Sequence, residues 1–147
     1  MYATTEIALT NDLREITSIA SQIDHFCQDH DLQSEVAYGV NLALEELLAN
    51  TISYGYEDED VHRIEVLLRL EEQLLTIMVV DDGIPFDPTQ APESSEMVSL
   101  DEPEIRGLGL LLVNRMMDGV EYQRRANCNI AILTKSIEME TEDTSIQ

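Results

Sequence analysis

Apolar and polar positions follow two rhythms along this chain. Ile64, Val66, Leu68 and Leu70 alternate with Glu65, Leu67 and Arg69, the period of a half-buried strand. In the next run Leu75, Ile77 and Val79 share one parity and Asp81 continues it, while Leu74, Met78 and Val80 make the other parity apolar as well. A tight turn near Glu71-Glu72 joins the two runs. The second strand is therefore expected at the centre of a sheet, its second face covered by a partner or a second subunit. Upstream the rhythm is helical. Leu13, Ile16, Ile19, Ala20, Ile23 and Phe26 form one stripe, with Asp12 and Glu15 as a capping pair at its start. After the polar run 28–34, Val36, Val40, Leu44, Leu47 and Leu48 form a second stripe, ended by Gly55. Residues 3–9 suit a short strand, 110–117 a buried helix, and 120–125 and 129–135 two further strands. This order, β-α-α-β-β-α-β-β, predicts an α+β two-layer sandwich with helices on one face of a mixed sheet.

Residues 83–106 break both rhythms. All four prolines (Pro85, Pro88, Pro92 and Pro103) fall there, among Ser, Thr, Asp and Glu. A loop of this length inside a compact domain reads as a functional lid or a disordered segment. Residues 138–147 are acidic and polar, and are expected to form a disordered tail on a single domain spanning 1–137.

Composition narrows the partners. Thirty acidic residues against eight basic ones give a formal charge of -22, which repels phosphate backbones and anionic membrane surfaces. Nucleic acid and membrane are thus not expected as direct partners, whereas a basic protein surface would suit the charge. The N-terminus lacks the basic flank and apolar run of a signal peptide, and no apolar segment approaches the roughly 20 residues needed to span a bilayer. With only Cys27 and Cys128, read as small apolar side chains, the expected compartment is the cytoplasm. His25, His30 and His62 lack metal-ligand spacing and read as ordinary surface or boundary residues.

Three features carry candidate chemistry, in a fixed order. Glu46 and Asn50 are one helical turn apart, Asp81-Asp82-Gly83 ends a buried strand, and Arg106-Gly107-Leu108-Gly109 opens a helix. Each is weak alone, since aspartate-glycine after a strand is usually a turn and G-x-G is common. Together they describe a nucleotide site. Glycines before a helix let backbone N–H groups approach phosphates, and a helix N-terminus favours negative charge. A carboxylate at a buried strand end can accept a hydrogen bond from an exocyclic amine such as adenine's. Asn50 offers a hard oxygen to magnesium, which takes most of its ligands from phosphates and water. Glu46 could orient or deprotonate an attacking hydroxyl.

The segments LEELLANTISYGY, VVDDGIPFDP and RGLGLLLVNRMMD resemble the ATP-binding fold shared by gyrase, MutL and sensor histidine kinases, the Bergerat fold. Over most of residues 5–137 the chain looks like the bacterial anti-sigma-factor serine/threonine kinases. The resemblance implies Glu46 as catalytic base, Asn50 as magnesium ligand, and Asp81 with Gly83 as the adenine-binding turn. It also implies Gly107, Leu108 and Gly109 as the phosphate-binding segment, and Arg106 as a contact to the terminal phosphate. Tyr54 stands where relatives often carry histidine, and the second glycine of the aspartate motif is missing. No phosphoacceptor-histidine helix precedes the domain, so a histidine kinase is not expected. The resemblance implies ATP and magnesium as cofactors, and a sigma factor and an antagonist protein as partners. A homodimer, common in the family, would fit the two-sided apolar strand. Two alternatives stay open: a nucleotide-binding partner-switch module that transfers nothing, and an acidic interaction domain without nucleotide.

Overall fold

The alternating runs become strands where their period of two puts them. A computed structural model of the chain describes residues 2–90 and 102–137, the side chains of residues 102–108 excepted. Strands β1 (Tyr2–Thr10), β2 (Arg63–Glu71), β3 (Leu74–Asp81), β4 (Gly119–Arg125) and β5 (Cys128–Ser136) form one sheet in the order β1-β2-β3-β5-β4. The strand expected at the centre, β3, is central.

The α+β sandwich stands, but the sheet is antiparallel at all four pairings rather than mixed. Connectivity explains this. Two helices, α1 (Ile16–Asp29) and α2 (Ser34–Tyr54), intervene between β1 and β2 and return the chain in the opposite sense. A single helix, α3 (Glu102–Met116), follows β3, so β4 runs parallel to β3 in space. The last strand of the β4–β5 hairpin inserts between them and removes the parallel pairing. Ala126 and Asn127, both at positive φ (55° and 64°), make that hairpin's two-residue turn.

The core lies between the sheet's inner face and α1 and α2. Ile64, Leu68, Leu75, Ile77 and Leu133 from the sheet meet Ile23, Leu44 and Leu48 from the helices, all fully buried. Each such side chain contributes about 1.5–3 kcal/mol of burial. Leu13, expected to head the first stripe, is exposed, because it belongs to a 3-10 turn (Leu13–Glu15) before α1. The capping pair is also rearranged: Asp12 accepts from the Arg14 N–H, while Glu15 reaches back to the backbone N–H and hydroxyl of Thr10. The sheet's outer face carries Leu67, Met78, Val80, Ile130 and Ile132, all half-buried.

The largest departure concerns α3. It begins at Glu102, eight residues before the expected start, so Gly107 and Gly109 lie inside a helix instead of ahead of one. Proline tolerates the first helical turn, where its missing N–H costs nothing, so Pro103 does not stop the helix there. Of the expected lid, residues 91–101 lie outside the described residues, as do residues 138–147 of the expected tail. No described helix is long and apolar enough to cross a membrane.

Candidate functional site

The site begins with the parity of β3. Leu75, Ile77 and Val79 face the core, and the same alternation carries Asp81 inward at the strand's end, where it is 6% exposed. Its Oδ1 accepts from the Gly83 N–H and from Asn129 Nδ2, each at 2.9 Å. Burial pushes its carboxyl above the usual aspartate range, and these two hydrogen bonds partly offset that. Gly83 is required by space. A Cβ there would lie 2.5 Å from the Gly55 carbonyl oxygen, and Ile84 N–H donates to the same oxygen at 2.8 Å. The end of α2 and the turn after β3 are thus locked together.

Asn50 is also 6% exposed. Its Nδ2 donates to the backbone carbonyl of Glu46 at 2.8 Å, which turns Oδ1 away from the helix. That oxygen is buried with no hydrogen-bond partner among the described residues. Leaving such a group unsatisfied costs about 1–3 kcal/mol, so it marks a place for a ligand. A hard carbonyl oxygen fits magnesium. Among the described residues no group of three or more His, Cys, Asp or Glu could hold a metal, so phosphates and water would have to complete the shell. Glu46 is half-buried beside Asn50, and its carboxyl is pushed up by burial and then by the charge of Glu45.

α3 crosses this pair at Gly109. A Cβ at that position would come within 2.6 Å of Glu46 Oε2 and 3.5 Å of Asn50 Nδ2. Glu46, Asn50 and Gly109 are therefore brought together as the sequence order suggested. Arg106, Gly107 and Leu108 lie on the preceding turn of α3, and their side-chain placement falls outside the described residues. In a helix running from Glu102, the amides of Gly107 and Gly109 are committed to carbonyls four residues back, so no phosphate cradle is open in this conformation.

Between the two halves lies a small cavity of about 30 Å³, lined by Asn50, Thr51, Tyr54, Gly55, Asp81, Ile84, Phe86 and Asn129. This is room for about two waters, well short of a purine. Ile84, exposed, and Phe86, half-buried, form its outer wall. Larger hollows of about 440 Å³ lie on the outer sheet face beside Glu6, Arg63 and Met78, and beside Cys27 and Tyr38 on the helices. Neither gathers Asn50 or Asp81, and chemistry rather than volume locates the site.

Sequence reading missed Asn129. It pairs with Asp81 across β3 and β5, is 5% exposed, and shares its inward parity with Ala131 and Leu133. A polar residue on an otherwise apolar inward face was the available signal. His62 was also underestimated. It bridges Asp58 (Nε2 to Oδ1, 2.7 Å) and Asp82 (Nδ1 to Oδ1, 3.1 Å), and its ring stacks on Tyr56 with centroids 4.3 Å apart.

Known proteins place this geometry in a family. Residues 9–135 match the family described as the histidine kinase-like ATPase domain. A serine/threonine-protein kinase, BtrW, of Bordetella bronchiseptica is 28% identical over 112 residues, covering 76% of this chain and 79% of the relative. The serine-protein kinase RsbW of Bacillus cereus is 30% identical over 105 residues, covering 69% of this chain and 64% of its own length. The crystal structure of the RsbU and RsbW domains of a Mycobacterium tuberculosis protein shares the fold, with a TM-score of 0.64 at 12% identity, covering 94% of this chain and 33% of that one. The ordered motifs, the buried Asp81 and Asn50, and this match over residues 9–135 lead to one conclusion: the chain belongs to the histidine kinase-like ATPase domain family.

Proposed function

We propose that this chain is an ATP- and magnesium-dependent serine/threonine protein kinase that acts as an anti-sigma regulatory factor, binding a sigma factor and phosphorylating an antagonist protein. The observation that carries this reading is the unpartnered, buried Asn50 Oδ1 one turn from Glu46, under Gly109 of α3. Its similarity to the kinases BtrW and RsbW supports the choice of reaction. In this reading Asp81 accepts the adenine amine and Asn50 holds magnesium on the phosphates. Glu46, its proton affinity raised by burial, takes the proton of the incoming hydroxyl. Gly107, Leu108 and Gly109 face the phosphates and Arg106 the terminal one, once the first turns of α3 unwind and release their amides. A second copy of the chain would cover Leu67, Met78, Val80, Ile130 and Ile132 on the outer sheet face, and the cytoplasm is the compartment.

A second reading, a nucleotide-binding switch module that transfers nothing, uses the same site, with α3 helical through both glycines and the base cavity closed to about 30 Å³. Label from the terminal phosphate of ATP separates the two. Incubated with magnesium and a protein captured from native cytoplasm, a kinase moves label to serine or threonine. A switch module binds ATP and leaves the protein unlabelled.

A further inference from the structure

Two side chains of the edge strand β4 stand outside the base cavity yet converge on one of its walls. Tyr122 Oη donates to Asn129 Oδ1 at 2.6 Å, and Arg124 Nη1 donates to the same oxygen at 3.1 Å and to the Gly83 carbonyl at 2.7 Å. The Phe86 N–H adds a third donor to Oδ1 at 3.2 Å. With three donors on its oxygen, the Asn129 carboxamide has one tenable orientation, because a flipped amide would set N–H groups against N–H groups. Its Nδ2 must then face Asp81 Oδ1, at 2.9 Å, and the Ile84 carbonyl, at 2.8 Å. Asp81 Oδ1 already accepts from the Gly83 N–H, so this second donor fills it and fixes the carboxylate plane. Oδ2 is left to meet whatever enters the cavity.

We propose that Tyr122 and Arg124 are positioning residues for base recognition: by fixing the Asn129 amide and the Gly83 carbonyl, they aim Asp81 Oδ2 at the exocyclic amine of a 6-aminopurine. The proposal rests on the nucleotide-binding reading above and adds what enforces its specificity. Arg124 does a second thing from its exposed position. Its charge favours the ionised form of Asp81 against the burial that opposes it, which keeps Oδ2 an acceptor. Neither residue needs to touch the nucleotide.

The test uses calorimetry on the full chain with ATP and with purine riboside 5′-triphosphate, which lacks the 6-amino group. The wild type should prefer ATP roughly ten- to a hundredfold, the worth of one hydrogen bond to a charged acceptor. Tyr122→Phe and Arg124→Gln should each weaken ATP binding by about three- to tenfold while changing the analogue's affinity by less than about twofold, so the preference shrinks. Both changes are conservative at half-buried or exposed positions, and an unchanged analogue affinity also certifies the fold. Added to Asp81→Asn, neither should weaken ATP binding further, because the carboxylate they aim is gone. Equal losses for both ligands, or an unaltered preference for ATP, would overturn the proposal alone. A wild-type chain that binds neither ligand would overturn the nucleotide reading, and this proposal with it.

Discussion

Gly109 of α3 sits against Glu46 of α2 so closely that a Cβ would come within 2.6 Å of the Glu46 Oε2. The obstructing atom is the tip of a flexible side chain, so Gly109→Ala is accommodated by a small carboxylate shift. Alanine also favours the helix by about 1 kcal/mol over glycine. The variant should therefore melt at the wild-type temperature or above it. Nucleotide binding should move the other way, because phosphates need the amides that a firmer helix keeps. We expect a severalfold loss of ATP affinity beside unchanged or raised thermal stability, measured by calorimetry and thermal denaturation. Unaltered ATP affinity would mean that α3 need not unwind there.

The neighbouring pair should fail in two different ways. Asn50→Ala removes the proposed metal oxygen, so magnesium-dependent ATP binding should weaken and phosphotransfer should vanish with it. Glu46→Gln keeps size and polarity, so binding should survive while transfer falls by roughly 100-fold or more, within the usual range for a general base. Single-turnover transfer at saturating ATP measures both. The wild-type rate should be lost as pH falls through a Glu46 pKa lying above the ordinary glutamate value of about 4.3. A Glu46→Gln rate equal to the wild type would remove the base assignment.

His62 predicts a pH dependence of stability. Its pKa is raised, chiefly by the hydrogen bond with Asp58; desolvation opposes this, and Asp82 adds a smaller rise. The doubly protonated ring donates to both carboxylates, while the neutral ring has one N–H to give. The stabilisation is therefore fully present below the unfolded value of about 6.5, and is lost as pH rises through the higher folded value. Melting curves taken from about pH 5.5 upward should show wild type losing stability relative to His62→Gln as pH rises above about 6.5. Parallel curves would show that the bridge between Asp58 and Asp82 carries no charge.

Much of this was legible in the sequence, and the reasons differ by element. Period two placed β2 and β3 and put Asp81 inward, because alternation fixes which face a residue takes once its neighbours are buried. Helical spacing placed α1 and α2 and stacked Glu46 beside Asn50 for the same kind of reason. Pairing partners were not legible. Nothing in 128–136 taken alone says that β5 inserts between β3 and β4, so the antiparallel sheet and the Asn129–Asp81 pair depend on tertiary contacts. The start of α3 was misread for a local reason. Pro103 and two glycines look like helix breakers, yet one falls in the tolerant first turn and Gly109 is accommodated by packing closely on α2.

Asp81 should show opposite signs in stability and binding. Burial raises its folded pKa above the unfolded value near 3.9, so at neutral pH the chain pays for holding an ionised carboxylate in the core. For a carboxyl raised in this way the linkage runs against the usual aspartate case. The native state binds the extra proton between the two pKa values, so this group's contribution to stability falls as pH rises through that window. Asp81→Asn removes the charge and keeps an oxygen for Gly83 N–H and Asn129 Nδ2. We expect a variant at least as stable as the wild type at pH 7, with a flatter pH dependence above about pH 4. Its new NH₂ group would face the purine amine donor to donor, so ATP affinity should drop by the worth of a charge-assisted hydrogen bond, about 1.5–3 kcal/mol. Denaturant unfolding and ATP titration on the same preparation decide the matter. A variant that loses stability and affinity together would make Asp81 a structural residue of the β3 end, whereas gained stability with lost affinity is what a carboxylate kept for binding predicts.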